Sequence, residues 1–426
     1  MSTDAGSAPD TYDLVVVGGG PAGVPAAIQA ARLGRRVLLI EKNGGLGGTT
    51  TTAGVSLPGL FHAWGRQVIA GIGWDIVERA VRVGGGELPD FTDFERPHYL
   101  LQIRVNPYVY GALLMEAVAA AGVVLRLHTM LAAVHWDGTH WQLQVCGKEG
   151  LSPVRATRLV DCSGDANAIG LAGLPRTRNQ ERQPGTLVYR LSGYEPAGLD
   201  YEGLDLAYEE AVAAGDLVPS DFGSHDRPLR GFLAKFGDTA MHLPGVEGAT
   251  SAGRTAAETA GRNSLLRVLR FLRRQPGLTD VTVAYCATEV GIRESMMITA
   301  RRQVTAEDYL AGRRFDDAVC HSFYPIDIHR PDGNGIHKIH LERGIVPAIP
   351  RTAMVPRDNP YAIVAGRSIS GDQAANSAFR VQATAMATGQ AAGALAALSA
   401  EHETPIDEVD LADLRRVLRE HGAIVP

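Results

Sequence analysis

The sequence predicts an α/β chain, a mostly parallel sheet flanked by helices, interrupted by an inserted α+β region. Three observations point there. Residues 12–17, YDLVVV, are a short β-branched run of the kind found in strands buried on both faces. GGGPAG follows at once and opens the helical stretch VPAAIQAARLG, after which RRVLLIEK reads as a second strand. From about residue 176 the pattern changes to alternating stretches such as TLVYRLSGY and a long Arg-rich helix over 254–274.

Taken in order, the first three elements form strand, Gly-rich turn, helix and strand within about 30 residues, the opening of a parallel βαβ unit. Asn43 to Thr52 is a Gly/Thr-rich loop, and VIAGIGWDIVERAVRVGG turns helical in its second half. Asn106-Pro107 starts the helix YVYGALLMEAVAAAG, with Pro where a missing N–H is harmless. VVLRLHT, LAAVHWDG and WQLQVCG are strands joined by turn signals such as Asp137-Gly138. RATRLVDCSGDANAIGLAG reads as strand, Gly-Asp turn and short helix. The insertion is expected to rest on a mostly antiparallel sheet. In it, SFYPIDIH (322–329) reads as a strand with Asp327 and His329 on one side and Ile326 and Ile328 in the insertion's core. YAIVAGRS (361–368) is a late buried strand, 379–399 a small-residue helix, and the last 20 residues a solvent-facing helix. The expected division is 10–85, 104–175 and 340–400 for the α/β domain, 86–103 and 176–339 for the insertion, and 401–426 for the terminal helix.

Bulk properties narrow the function classes. A net charge of −6 offers no basic stripe for nucleic acid or an anionic membrane. The four cysteines form no CxxC, so the expectation is reduced thiols, a cytoplasmic location and no metal. No apolar run reaches the roughly 20 residues of a membrane helix. The segment MSTDAGSAPDTYD lacks the pattern of a signal peptide and reads as a frayed tail.

Gly18, Gly20 and Gly23 give GxGxxG between a strand and a helix. The first makes a tight turn, the second admits a pyrophosphate, and the third lets helix and strand pack closely. The helix N-terminus then offers free N–H groups to phosphates. Glu41 ends the second strand about 20 residues on, where a carboxylate grips ribose hydroxyls. Pro21 and Ala22 belong to the same turn, and Lys42 follows the carboxylate. Three features favour FAD over NAD. The fingerprint stands at the extreme N-terminus, a second Gly-rich loop (44–51) follows the ribose Glu, and VAGRSISGD (364–372), with Gly366, leads into a helix. No second strand–GxGxxG–helix provides a nicotinamide domain.

The chain resembles the FAD-dependent oxidoreductases with the two-dinucleotide-binding-domain, Rossmann-like fold. The segments that carry the resemblance are GGLGGTTTTAG, GIRES (291–295), YPIDIH (324–329) and AGRSISGD (365–372), followed by RVQATAMATGQAAG. The resemblance implies that Gly47, Gly48, Thr49 and Thr50 cradle the pyrophosphate and run along the isoalloxazine. It implies that Leu131 meets adenine through its backbone and that Ser163, Gly164 and Asp165 close over the ADP moiety. Asp372 would bind ribityl or pyrophosphate, and Ala378, Phe379 and Arg380 would start a helix aimed at the flavin N1/C2 oxygen. In one departure, Met296 and Met297 follow GIRES where the family often has Arg, which implies a neutral or partly apolar substrate.

A flavin enzyme must also move a proton and hold the substrate. His329 is the first candidate for the proton, with Asp327 fixing its tautomer or raising its pKa. Arg293 is expected to bind a substrate carbonyl or carboxylate, and Tyr324 to donate a proton. His62, just past the flavin loop, is expected to face the ring. The Arg-rich helix reads as a solvated face. These residues suit a dehydrogenase or oxidase of a small organic molecule, with O2 or another acceptor reoxidising the flavin, in a monomer or homodimer. A C=C reductase and an NAD(P)H-using monooxygenase are the alternatives, and a non-catalytic flavin-binding subunit is disfavoured.

Overall fold

The computed structural model describes residues 9–223, 228–238, 241–333 and 335–426. Most of the expected terminal tail, residues 1–8, lies outside them. The first strand, Asp10–Val17, sits at the centre of a seven-stranded sheet. It pairs in parallel with Val37–Ile40 on one side and with Gly150–Asp161 on the other. Residues 14–17 are buried, as an unbroken apolar run between two covered faces must be. Val124–Arg126 extends the sheet in parallel beyond Val37–Ile40. The first half of Gly150–Asp161 pairs antiparallel with Trp141–Gly147, which pairs with Met130–Trp136. Its last residues pair in parallel with the late strand Ala362–Val364. The result is a Rossmann-like α/β fold with additional antiparallel pieces.

The first helix, Gly23–Arg32, packs directly on the long helix Gln382–His402. The small residues of the latter explain how closely they meet. A Cβ on Gly389 would lie 2.1 Å from the Ala22 carbonyl oxygen, and one on Gly393 would lie 2.2 Å from that of Ala26. The helix expected over 379–399 forms as Gln382–His402, and Phe379 instead ends a separate preceding helix. Gln373–Phe379 ends, Val381 is extended (φ −64°, ψ 154°), and Gln382 starts anew.

A second apolar core lies within residues 187–292 and centres on Tyr189, Phe222, Phe232 and Phe271. It holds the antiparallel pair Tyr189–Ser192 and Thr282–Cys286 and one face of the helix Ser251–Leu272. Ile298, Val304, Tyr309, Val319 and Ile326, by contrast, are buried in the first core. The strand Ile326–His329 forms as the alternation predicts and pairs antiparallel with Ile336–Ile339. Its Ile326 and Ile328 pack on the α/β core rather than on the insertion's. The terminal helix Leu411–Glu420 is not simply solvent-facing, because Leu414, Val417 and Leu418 are buried.

Candidate functional site

The glycine turn is shaped by what surrounds it. Gly18 has φ +100°, and a Cβ there would meet the Cys162 carbonyl oxygen at 2.6 Å. A Cβ on Gly23 would meet the Gly18 carbonyl oxygen at 1.7 Å, so only glycine lets the helix begin this close to the strand. Above Gly20 nothing lies within 4 Å, which leaves the open space a pyrophosphate needs. Glu41 reaches the same turn. Its Oε2 accepts from the Gly19 N–H (2.7 Å) and its Oε1 from the Asn43 N–H (2.9 Å). The Gly47 N–H donates to the Gly19 carbonyl (2.8 Å), joining the two glycine loops.

A groove beside these loops is lined by Gly18, Gly20, Pro21, Ala22, Glu41, Lys42, Gly48 and Thr49, together with Ser163, Gly164, Asp165, Gly366, Arg367 and Arg380. Asp165 anchors part of its wall. Its Oδ1 accepts from Arg367 (2.8 Å) and from the Ser295 hydroxyl (2.5 Å), and its Oδ2 accepts from Arg254 (2.8 Å). Burial alone would raise its pKa, but Arg367 and Arg254 outweigh burial and hold the carboxyl below its usual range. Arg254 comes from the Arg-rich helix, which is therefore not merely a solvated face. That helix also carries Arg267, bound to the buried Asp221 (2.7 Å). Lys42 pairs with Glu289 beside the same groove.

The groove fits FAD. Its lining offers an open glycine cradle, the Glu41 carboxylate and a helix start at Gln382. Thr50 donates to the Gln382 side chain, tying the flavin loop to that helix. Several expected contacts lie elsewhere. Ala378 and Phe379 are buried in the last turn of the preceding helix, so the N-terminus at the groove begins after Arg380. Asp372 caps Gln373–Phe379. Its Oδ1 accepts from Ala375 N–H (2.8 Å) and its Oδ2 from Ala306 N–H (2.7 Å), and it does not line the groove. Leu131 pairs with Val145 inside the antiparallel ladder and is not part of the lining either.

A chamber of about 620 Å³ opens from the groove, sharing Thr49, Gly291, Ile292, Arg380 and Gln382 with it. Arg293, Tyr324, Asp327 and His329 all line this chamber. His329 Nε2 stands 3.7 Å from Asp327 Oδ1, too far for a hydrogen bond. Burial, Arg293 and Arg380 push the His329 pKa far down rather than up, so the ring is neutral. This overturns the expectation that Asp327 raises it. Arg293 is lowered to about 9 by burial and by Arg380, and stays charged at neutral pH. Its Nη1 donates to the Pro184 carbonyl (2.6 Å) and to Thr186 Oγ1 (2.9 Å). Tyr324 is pushed up to about 12 by burial, then by Asp327, and its oxygen accepts from Gln102 (2.8 Å). Three buried polar atoms at the chamber have no partner among the described residues: Asp327 Oδ1, His329 Nδ1 and Arg380 Nε.

His62 does not face the groove. The turn at Trp64 (φ 54°) and Gly65 (φ 79°) carries it into a separate cavity of about 340 Å³. There it stacks on Phe91 at 3.7 Å, and burial lowers its pKa to about 4. Met296 and Met297 do not line the chamber either. Sequence reasoning missed Arg254 and Arg367 as parts of the groove. Arg367 stood inside a quoted motif, whereas Arg254 carries no local signal.

Residues 13–418 match the model of a family described as FAD dependent oxidoreductase. A dihydrolipoyl dehydrogenase of Trypanosoma brucei brucei is 53% identical over 53 residues, which cover 12% of this chain and 11% of that protein. A digeranylgeranylglycerophospholipid reductase 2 of Methanopyrus kandleri is 31% identical over 196 residues, 45% of this chain and 46% of that protein. The chain thus spans less than half the length of these curated relatives. Among solved structures, a myxobacterial chondrochloren halogenase aligns with TM-score 0.48 and 14% identity over 97% of this chain and 80% of that one. Among the described residues, no helix is long and apolar enough to cross a membrane.

Proposed function

Because the chain belongs to the FAD dependent oxidoreductase family, we propose that it is a dehydrogenase or oxidase whose small organic substrate occupies the 620 Å³ chamber. The observation that carries this reading is the set of unpartnered buried atoms on Asp327, His329 and Arg380 in a chamber continuous with the cofactor groove. Buried polar atoms are costly to leave unpaired, and such exceptions belong where a ligand completes them. When bound, FAD supplies the acceptor for a hydride lost from a C–H bond.

The chain's own residues handle the rest. His329, held unprotonated by burial, Arg293 and Arg380, becomes basic enough to accept at Nε2 the proton released from the substrate's neighbouring O–H or N–H once a bound substrate oxygen offsets the two arginine charges. Asp327, 3.7 Å away, stabilises the imidazolium so formed. Arg293 holds the substrate oxygen, and the Tyr324 hydroxyl, its pKa near 12, remains a donor. The apolar residues Val55, Leu57, Val188 and Phe232 complete the wall and keep water from the reacting carbon. O2 or another small acceptor then takes the electrons.

The test is anaerobic stopped-flow mixing of the yellow protein with NADH, NADPH and candidate substrates. Bleaching by a substrate and not by NAD(P)H is the expected result. Fast bleaching by NADH or NADPH would replace this reading with a reductase or monooxygenase. The partial likeness to a phospholipid reductase favours reduction as the second reading.

A further inference from the structure

The charge lining the chamber says what kind of molecule it takes. Among the described residues, Arg293, Arg380, Lys235 and Lys338 line it, and Asp327 is the only carboxylate that does. Lys338 stands directly opposite Asp327 in the strand pair. His329, beside the arginines, is held neutral by burial and then by their charge, and adds none of its own. Excess cation in a half-enclosed space calls for an anion.

Arg293 shows where that anion sits. Its guanidinium is fixed through Nη1 alone, by the Pro184 carbonyl and Thr186 Oγ1. Nε and Nη2, the edge that grips a carboxylate with two parallel hydrogen bonds, make no bond to the described protein. Arg380 is held differently but also keeps a spare donor. Nη2 donates to Gln183 Oε1 (3.2 Å) and weakly to the Asp327 carbonyl (3.4 Å), while Nε is buried and unpartnered. Two guanidinia held rigidly by backbone and amide oxygens, each with donors to spare, are prepared for a planar anion. The rest of the wall is apolar, with Val188, Phe222 and Phe232.

We propose that the chamber binds an organic carboxylate, its carboxylate on the free edge of Arg293 beside Arg380 and its apolar part against Val188, Phe222 and Phe232. This reverses the neutral substrate implied by Met296 and Met297, which lie outside the chamber. The proposal rests on the reading of this chamber as the substrate site.

The test uses the FAD-loaded protein and three carboxylates, benzoate, phenylacetate and cinnamate, each beside its neutral amide. Binding is read twice, by perturbation of the flavin absorbance and by calorimetry. At least one carboxylate is expected to bind ten-fold or more tightly than its amide. Arg293→Gln should weaken that carboxylate about ten- to a hundred-fold, weaken its amide much less and retain FAD. Arg293→Lys should restore part of the affinity. If no carboxylate binds better than its amide to the wild-type protein, the proposal is overturned, whatever the variants do. Unchanged carboxylate affinity in a folded, FAD-loaded Arg293→Gln protein overturns it too. Arg293-dependent binding seen by calorimetry without any flavin perturbation would uphold the anion site. It would remove the chamber from the flavin and so sink the substrate-site reading instead.

Discussion

In the cofactor groove the polar groups satisfy one another. Asp165 is held by Arg254, Arg367 and Ser295, and Glu41 by two backbone amides. Apart from Arg380, which the two regions share, no groove side chain among the described residues carries a buried polar atom without a partner. The chamber is the reverse, with a carboxylate oxygen, an imidazole nitrogen and a guanidinium nitrogen left over. The groove stands preassembled by internal bonds, and its ligand meets glycine and backbone. The chamber is completed only by what binds in it. Substitutions in the groove should therefore act on FAD retention and stability, and substitutions in the chamber on substrate binding and turnover.

The largest expected effect tests the first half of that contrast. Gly23→Ala puts a Cβ 1.7 Å from the Gly18 carbonyl oxygen, both backbone-bound, so strand and helix must part. The variant should purify without FAD or not fold at all. An absorbance ratio showing one flavin per chain would mean that the turn tolerates what this packing forbids.

Next comes the chamber. His329→Ala should keep FAD and lose about 10²- to 10⁴-fold in the rate of flavin reduction by substrate. The wild-type pH profile sharpens this. The pKa of His329 is driven far below 6.5, so the base stays unprotonated across the neutral range. Flavin reduction should show no inflection near pH 6.5. An inflection there that vanishes in His329→Ala would show the ring to be far less perturbed than its surroundings dictate.

What the sequence made legible divides along the same line. The groove's first wall is written in contiguous residues, because Gly18 to Gly23 and Glu41 work through local turns and the end of one strand. The strand Ile326–His329 was also readable, since alternation alone puts Asp327 and His329 on one side. Asp372 lies off the groove lining because it caps the helix Gln373–Phe379, a role equally open to any Asp before a helix. His62 was misplaced by a left-handed turn at Trp64, which no residue preference announces. The chamber was least legible. Its lining comes from loops and strands far apart in the chain, and its charge balance exists only once they meet.

A third test returns to the groove's internal bonds. Asp165→Asn leaves Arg254 and Arg367 facing a neutral group in a buried site, and should destabilise the protein by about 3 kcal/mol. The sign of the pH effect follows from the lowered pKa. The charged carboxylate stabilises the fold above the unfolded carboxyl pKa, about 3.9, and that stability is lost as pH falls through the lower folded value. Wild type and Asp165→Asn should therefore differ most at neutral pH and converge in strong acid. A difference that does not shrink in acid would mean that the asparagine costs packing rather than charge.

The smallest effect marks the boundary of the contrast. Lys42 and Glu289 pair within the lining of the groove, but both are substantially exposed, with 49% and 30% of their side chains accessible. Such a pair is screened by water and salt and contributes at most about 1 kcal/mol. Glu289→Gln should shift FAD affinity by less than about five-fold at 0.15 M salt, a limit set by that 1 kcal/mol. A much larger loss, insensitive to added salt, would show that Glu289 acts on the cofactor through more than Lys42. The preassembled wall would then reach further into the insertion than Arg254 alone carries it.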